Sequence, residues 1–425
     1  MGSRAGAWGL AARPAGARRA LGVVGLGVLV AVAAPLAAPG PGLVPAAAGG
    51  EPSWLLGLYG AGLGVAPGAY YGLLWVAFVA HLCVFLAAPA LDRRLIRSVA
   101  LLLVAAFALA PPLLSADVFS YIDYARLGAV HGLNPYTHVP EALPADAAFS
   151  YVGWTDSTSA YGPLFTLLTY PLALLSVPAA LWALKGAAAA SVLALASLVA
   201  RIAPARGIDP KRGFVMVALN PLVLVHVVGG AHNDATMVLL LTAGCAGVLA
   251  LRERAGGAAL ASAAALKLSA LFAAPFALLA AARRGRLLAG GAAALAAIAA
   301  AALVAFGPHA LDSLSVAGEN QGRVSSFSIP NLLSEALNLD VDAVRSVALL
   351  AFLGLLAYLL LGVWRGGDWI RATGWAALGL LLASAWLLPW YVVWALPFAA
   401  LSRDERLVAG VFALTALLLA ARIPL

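Results

Sequence analysis

Apolar runs of about twenty residues recur along this chain from Leu21 to Leu419, and no other feature constrains its fold as tightly. A helix of that length matches the hydrocarbon thickness of a bilayer, and only a helix or a closed barrel satisfies its own backbone there. Clear runs lie near 20–39, 68–91, 98–115, 213–230, 234–251, 287–306, 346–363 and 371–388. Runs interrupted by polar residues or prolines lie at 161–200, 257–281, 389–401 and 407–421. The expectation is an all-α polytopic membrane protein with roughly ten to thirteen membrane segments, forming one domain over residues 1–425. With 63% hydrophobic and 10% charged residues, the composition excludes a water-soluble domain. The first run follows Arg18-Arg19 and also fits an export signal; its length of about twenty residues exceeds a usual signal core and favours a span.

The formal charge of +8 would suggest a polyanionic partner in a soluble protein, but here its placement decides. Twenty of the 26 Lys and Arg residues fall into short clusters between apolar runs: Arg4 to Arg19, Arg93 to Arg97, Arg201 to Arg212, Arg252/Arg254, Arg283 to Arg286, Arg365/Arg371 and Arg403/Arg406. The positive-inside rule makes their shared face cytoplasmic. The two longest polar loops, 116–160 and 307–345, hold ten of the 18 acids and three basic residues, so they are expected outside. The charge therefore reads as topology in a multi-pass plasma-membrane protein, with no nucleic-acid partner.

Two segments break simple parity. The apolar stretch 256–281 separates two basic clusters that belong on one face. A re-entrant hairpin broken near Pro275 resolves this, and irregular backbone at such depth must line protein or a cavity. Similarly, 161–200 must cross an odd number of times, as one full span plus a re-entrant or interfacial helix broken at Pro178.

Chemistry-bearing residues gather at the outer ends of the runs. Asp117, in Ser115-Ala-Asp-Val-Phe-Ser-Tyr121, stands where an apolar run leaves the membrane. A carboxylate near lipid costs a few kcal/mol and is usually functional; the alternative is a cap for a short helix over Val118–Val130. Asp123 follows six residues later, then a turn at Asn134-Pro135 and an aromatic stretch with Phe149, Tyr151, Trp154 and Tyr161. Those rings suit sugar stacking or an interfacial belt equally well. Gly229-Gly230-Ala-His232-Asn233-Asp234 is either a capped turn or a polar cluster for a sugar or phosphate. Lys267 either snorkels to an interface or neutralises a phosphate in a cavity. Arg323 has the planar fork that suits phosphate oxygens. Trp390 and Tyr391, in Pro389-Trp-Tyr-Val-Val-Trp394-Ala-Leu-Pro397, read first as belt residues. No Walker loop, dinucleotide fingerprint or HExxH pattern occurs. Asp117 and Asp123 alone fall short of a Ca²⁺ or Mg²⁺ site, so no obligatory metal is expected. Cys83 and Cys245 lie in apolar runs and read as packing residues.

Taken in order, Asp117-Val-Phe-Ser-Tyr121, Gly132-Leu-Asn-Pro-Tyr136, Tyr161-Gly-Pro163, Asn220-Pro221 with Gly230-Ala-His-Asn-Asp234, and Lys267 resemble the GT-C glycosyltransferases. Within that group they are most similar to the actinobacterial polyprenol-phosphate-mannose-dependent α-1,6-mannosyltransferases, over about residues 98–400. The resemblance implies a polyprenyl-phosphate-mannose donor at the outer membrane boundary and a glycolipid or glycan acceptor. It implies Asp117 as general base for an inverting attack, with Lys267 and Arg323 stabilising the leaving phosphate. His232, Asn233 and Asp234 would position sugar or phosphate, and Asp123 would bind acceptor hydroxyls if its helix face is turned to the cavity. The aromatic stretch 149–161, with Tyr161, and Trp390 and Tyr391 would line the groove for acceptor or prenyl chain, and Tyr121 would bind substrate. An arabinofuranose or glucose donor would use the same machinery, and a transporter or lipid flippase would instead use Lys267 as a midplane site. Long acid-rich outer loops fit surface chemistry better than alternating access, and a scaffold without chemistry would leave these residues unexplained.

Overall fold

The computed structural model describes residues 14–38, 43, 54–55, 63, 65–312, 316, 318 and 323–420. Arg4 and Arg13 of the first basic cluster lie outside the described residues, as does much of 313–322 in the second loop. Among the described residues the regular structure is helical, without a β-strand. In chain order the helices are α1 (Ala15–Ala37), α2 (Pro67–Ala87), α3 (Arg93–Ala108), α4 (Asp117–Ala129), α5 (Pro163–Thr169), α6 (Val177–Ile202) and α7 (Pro210–Ala218). There follow a π-helix (Val223–Gly229), α8 (Asp234–Leu249), α9 (Glu253–Leu266), α10 (Ala274–Ala280), α11 (Arg284–Phe306), α12 (Ile329–Leu337), α13 (Val341–Trp364), α14 (Trp369–Ala383), α15 (Leu396–Ala400) and α16 (Glu405–Ala420).

Five helical stretches are long and apolar enough to cross a membrane: Ala15–Ala37, Pro67–Ala90, Val177–Arg206, Arg284–Leu311 and Val341–Trp364. A sixth passes only as a bent pair, and four further apolar helices are shorter. One hydrophobic core runs from Leu26 to Leu419, so the helices pack as a single bundle. α11 and α13 stand at its edge: only 17% and 6% of their most apolar windows are buried. Apolar side chains so exposed have lipid as their natural solvent.

Basic clusters meet at one end of the bundle. Lys211 donates to the carbonyls of Pro89 (2.7 Å) and Leu91 (3.0 Å). Arg206 donates to Leu401 O, Arg403 donates to Arg206 O, and Arg371 pairs with Asp404 at 2.6 Å. Several acids at this end serve as helix caps: Asp92, Asp209 and Asp368 each accept backbone N–H groups from the first turn they precede.

Four expected runs are reshaped. The run 98–115 is helical only to Ala108, after which Pro111-Pro112 and the left-handed Leu114 (φ 58°) carry the chain irregularly to Asp117. The run 213–230 is not straight but bends by 60° between α7 and the π-helix. Pro221 has no N–H to give, and the Asn220 side chain accepts from Leu222 and Val223 in place of the helical ladder. In 161–200 the break falls at Leu175–Ser176, where Ser176 caps α6 and Pro178 sits in its first turn. The stretch 256–281 does form a hairpin returning to its own face. A Cβ on Gly257 would lie 1.9 Å from Leu287 O and one on Gly290 1.9 Å from Arg254 O, so α9 and α11 start side by side. However, the hairpin breaks at Lys267, whose backbone is extended (φ −152°, ψ 119°), and not at Pro275. Pro275 stands in the first turn of α10, where a missing N–H costs nothing.

Candidate active site

A cavity of about 2910 Å³ runs along α9 and α11, from Gly257 and Leu287 near their basic ends to Asp117, Lys267 and Arg323. That exceeds the roughly 300–1,000 Å³ of an ordinary small-molecule pocket. One arm is apolar, walled by Leu260, Leu288, Leu295 and Leu303 on one side and by Phe352 and Leu356 on the other. The other arm is polar and aromatic, and there Asp117, Trp154, Tyr161, Asp234, Lys267 and Arg323 converge.

Asp117 occupies the first turn of α4. It does not cap that helix: Ala116 is the N-cap and makes no side-chain bond. The Asp117 side chain points elsewhere. Its Oδ1 accepts the Trp154 indole N–H at 3.2 Å, and Oδ2 lies 3.6 Å from His232 Nδ1. Burial pushes this carboxyl above the ordinary carboxylate range; the Trp154 bond and the Lys267 charge oppose the rise, and the Asp234 charge adds to it. The side chain keeps 20% of its surface accessible, on the cavity.

The second cluster is built by the hairpin apex. Breaking the helix at Lys267 turns its side chain onto α8, where Nζ donates to Asp234 Oδ1 at 2.7 Å. The same oxygen accepts the Trp394 indole N–H at 2.7 Å. Lys267 Nζ also lies 4.7 Å from the Tyr391 ring centroid and 5.5 Å from that of Trp394. The lysine is thus neither snorkelling nor unpaired; a carboxylate and two aromatic faces hold its ammonium in place. Across the mouth, the Arg323 guanidinium lies 4.5 Å over the Trp154 ring, joining the second loop to the first.

The remaining expected residues divide. Tyr121 and Tyr161 line the cavity and pack edge to face, ring centroids 4.7 Å apart. Trp390 and Tyr391 also line it and are no interfacial belt: Trp390 is 5% exposed and stacks on His232 at 3.6 Å. His232 and Asn233 lie behind the wall rather than on it, both buried, with the His232 ring nitrogens and the Asn233 amide lacking hydrogen-bond partners. His232 backs Asp117 by packing, its Nδ1 3.6 Å from Oδ2. Asp123 is not brought to the cavity at all; it is 1% exposed and faces Arg126, His131 and Asp146.

Two features escaped the sequence reading. Trp394 and Trp154 are hydrogen-bond donors to the two site carboxylates, a role an aromatic-rich segment does not advertise. Lys185 of α6 is fully buried and donates to the carbonyls of Pro111, Val228 and Gly229. It ties the irregular segment leading to Asp117 to the turn carrying His232 and Asp234. A single lysine inside an otherwise apolar span was its visible signal. Among the described residues, no three His, Cys, Asp or Glu side chains come together as a metal-holding group.

The family model described as glycosyltransferase family 87 matches residues 160–420, so this helical membrane bundle is that of a glycosyltransferase. Within that class the chain belongs to the alpha-(1->6)-mannopyranosyltransferase family, whose N-terminal domain model matches residues 19–283. It is 30% identical over 343 residues to alpha-(1->6)-mannopyranosyltransferase A of Mycobacterium tuberculosis, covering 72% of this chain and 66% of that protein. To the Corynebacterium glutamicum protein of the same name it is 30% identical over 197 residues, covering 44% of this chain and 39% of that protein. The chain therefore spans less than two thirds of the length of these relatives. No solved structure matches it.

Proposed function

We propose that the protein transfers mannose from a polyprenyl-phosphate donor to a glycolipid or glycan acceptor at the outer membrane face, inverting the anomeric centre. The observation that carries this reading is the placement of Asp117 and the Lys267–Asp234 pair at one end of a cavity whose other arm is apolar and flanked by the lipid-facing α11 and α13. An amphipathic donor suits such a space: its hydrocarbon lies against Leu288, Leu295 and Leu303, and its phosphate reaches Lys267 and Arg323.

In the step itself, Asp117 accepts the proton of an acceptor hydroxyl as that oxygen bonds to the anomeric carbon. The bond from that carbon to the phosphate oxygen breaks, and the phosphate leaves with the electron pair. A β-linked donor thereby gives an α-mannoside. A carboxylate whose affinity for protons is raised by burial is a better base at neutral pH than a solvated one, provided it stays ionised. Lys267 and Arg323 stabilise the charge growing on the phosphate, the kind of preorganised electrostatics that dominates most such barriers. Asp234 and Trp394 keep Lys267 from reorganising as that charge develops. No metal is assigned a part in this step. Outward orientation rests on the basic clusters gathered at the opposite end.

The test is transfer by purified protein in lipid nanodiscs, supplied with radiolabelled polyprenyl-phosphate-mannose and a short α-1,6-mannose acceptor. Wild type should form an α-linked product, and Asp117→Asn should bind donor without turnover. Transfer from glucose or arabinofuranose donors alone would overturn the assignment of mannose. Retained transfer by Asp117→Asn would overturn the role of the base.

A further inference from the structure

We propose that Trp154 is the positioning residue of this site: its indole N–H holds the Asp117 carboxylate in the orientation from which it takes the acceptor proton. This rests on the reading of Asp117 as the base. The indole donates to Asp117 Oδ1 at 3.2 Å, and Oδ2 lies 3.6 Å from His232 Nδ1. His232 cannot do the fixing alone, because its Nδ1 stands at 3.6 Å and makes no hydrogen bond.

The ring itself is held from several directions. Its face carries the Arg323 guanidinium at 4.5 Å. The strap on which it sits is pinned on both sides: Glu141 N–H donates to Thr155 O at 3.0 Å and Thr155 Oγ1 donates to Glu141 at 2.9 Å. Tyr124 Oη donates to Ser157 O at 2.7 Å, and Ser159 N–H donates to Pro135 O at 2.8 Å. A tryptophan so anchored, thirty-seven residues from the acid it touches, is built to present one N–H at one place.

The consequence is a signature in pH. The indole bond favours the ionised carboxylate, as does Lys267, whereas burial and Asp234 disfavour it. The other titratable groups around Asp117 are Tyr121, Tyr124, Tyr161 and Tyr391, with His232 behind it. Removing the indole N–H therefore raises the pH at which the base becomes protonated, and transfer is lost at a higher pH on acidification.

The experiment is the pH profile of kcat/KM for Trp154→Phe, which keeps a ring and deletes the donor. Losing a hydrogen bond that favours the charged form predicts an acid limb displaced upward by about one pH unit. Donor binding and thermal midpoint report that the variant is folded, and Trp154→Leu repeats the measurement if the Phe form does not reconstitute. Trp375→Phe deletes the same kind of donor, an indole N–H to Asp404 at 3.0 Å, away from the cavity, and should keep the wild-type limb. An unmoved limb in Trp154→Phe, or an equal displacement in Trp375→Phe, overturns the proposal while Asp117→Asn remains inactive. An active Asp117→Asn instead removes the base on which the proposal rests, so the two failures are distinguishable.

Discussion

Asp117 and Asp123 stand six residues apart on the same helix, and their fates differ completely. Six residues rotate a side chain by roughly 240°, so the two acids leave α4 on different faces. Asp117 meets a cavity, an indole N–H and a nearby ammonium. Asp123 meets the inside of the 116–160 loop, where Oδ2 has no partner and Asp146 has already taken the Arg126 guanidinium (2.8 Å) and the His131 ring (2.7 Å). Burial, then the Asp146 charge, pushes Asp123 up to about 7, against the weaker pull of Arg126 and His131. Burial also acts to raise Asp146, but its bonds to Arg126, Ala148 and His131 win and hold it down at about 2. One acid faces a cavity, where the proposed reading makes it the base; the other is a buried liability beside a satisfied ion pair. What the rotation of the helix places opposite each carboxyl separates them.

The sharpest way to break this contrast is to neutralise each acid in turn. Asp117→Asn should lower transfer by about 10²–10⁴-fold, the usual span for general base removal, and the same change at Asp123 should leave kcat within about threefold. Equal losses would mean that both acids serve the reaction, or neither. Next in size, Lys267→Met should reduce kcat by about 10²–10³-fold, as expected for a donor that stabilises developing charge. A weaker effect confined to donor affinity would make the Lys267–Asp234 pair a structural tie.

Stability gives a smaller but cleaner difference. A carboxyl whose folded value is raised favours folding fully at pH below its unfolded value near 4 and loses that contribution as pH rises through about 7. Asp123→Asn should therefore raise the melting midpoint at pH 8 by roughly 2 °C or more and change it little at pH 4. Asp146 works in the opposite sense: its contribution is present above about pH 4 and is lost as pH falls toward about 2. Finally, chelation by EDTA should leave the transfer rate unchanged, and a loss restored by Mg²⁺ or Mn²⁺ would bring a metal into the first comparison as a partner of Asp117.

Much of the scaffold was legible because hydropathy and charge placement are local properties. The conflict between Arg252/Arg254 and Arg283–Arg286 announced the hairpin, and a helix cannot cross without separating them. The break itself does not follow the proline: Pro275 begins a helix and the turn falls on Lys267. Likewise, Asn220-Pro221 marked a motif without revealing the 60° bend it makes. Among site residues, Asp117, Lys267 and Asp234 were visible as charges out of place near lipid. Trp154 and Trp394 were hidden, because an indole beside a membrane usually marks an interface and nothing local tells which carboxylate it will find. His232 was visible, but its support of Asp117 from behind was not.

By itself, then, the order of residues determined a helical membrane protein, the end at which its basic clusters gather, and a short roster of polar residues too costly to be idle. Only the tertiary structure decided which of them meet. Hydrophobic burial is non-directional and reads along the chain, whereas a 2.7 Å bond from Lys267 to Asp234, thirty-three residues away, depends on where a helix breaks and how it is turned. The same rotation gave Asp117 a cavity and Asp123 a closed wall.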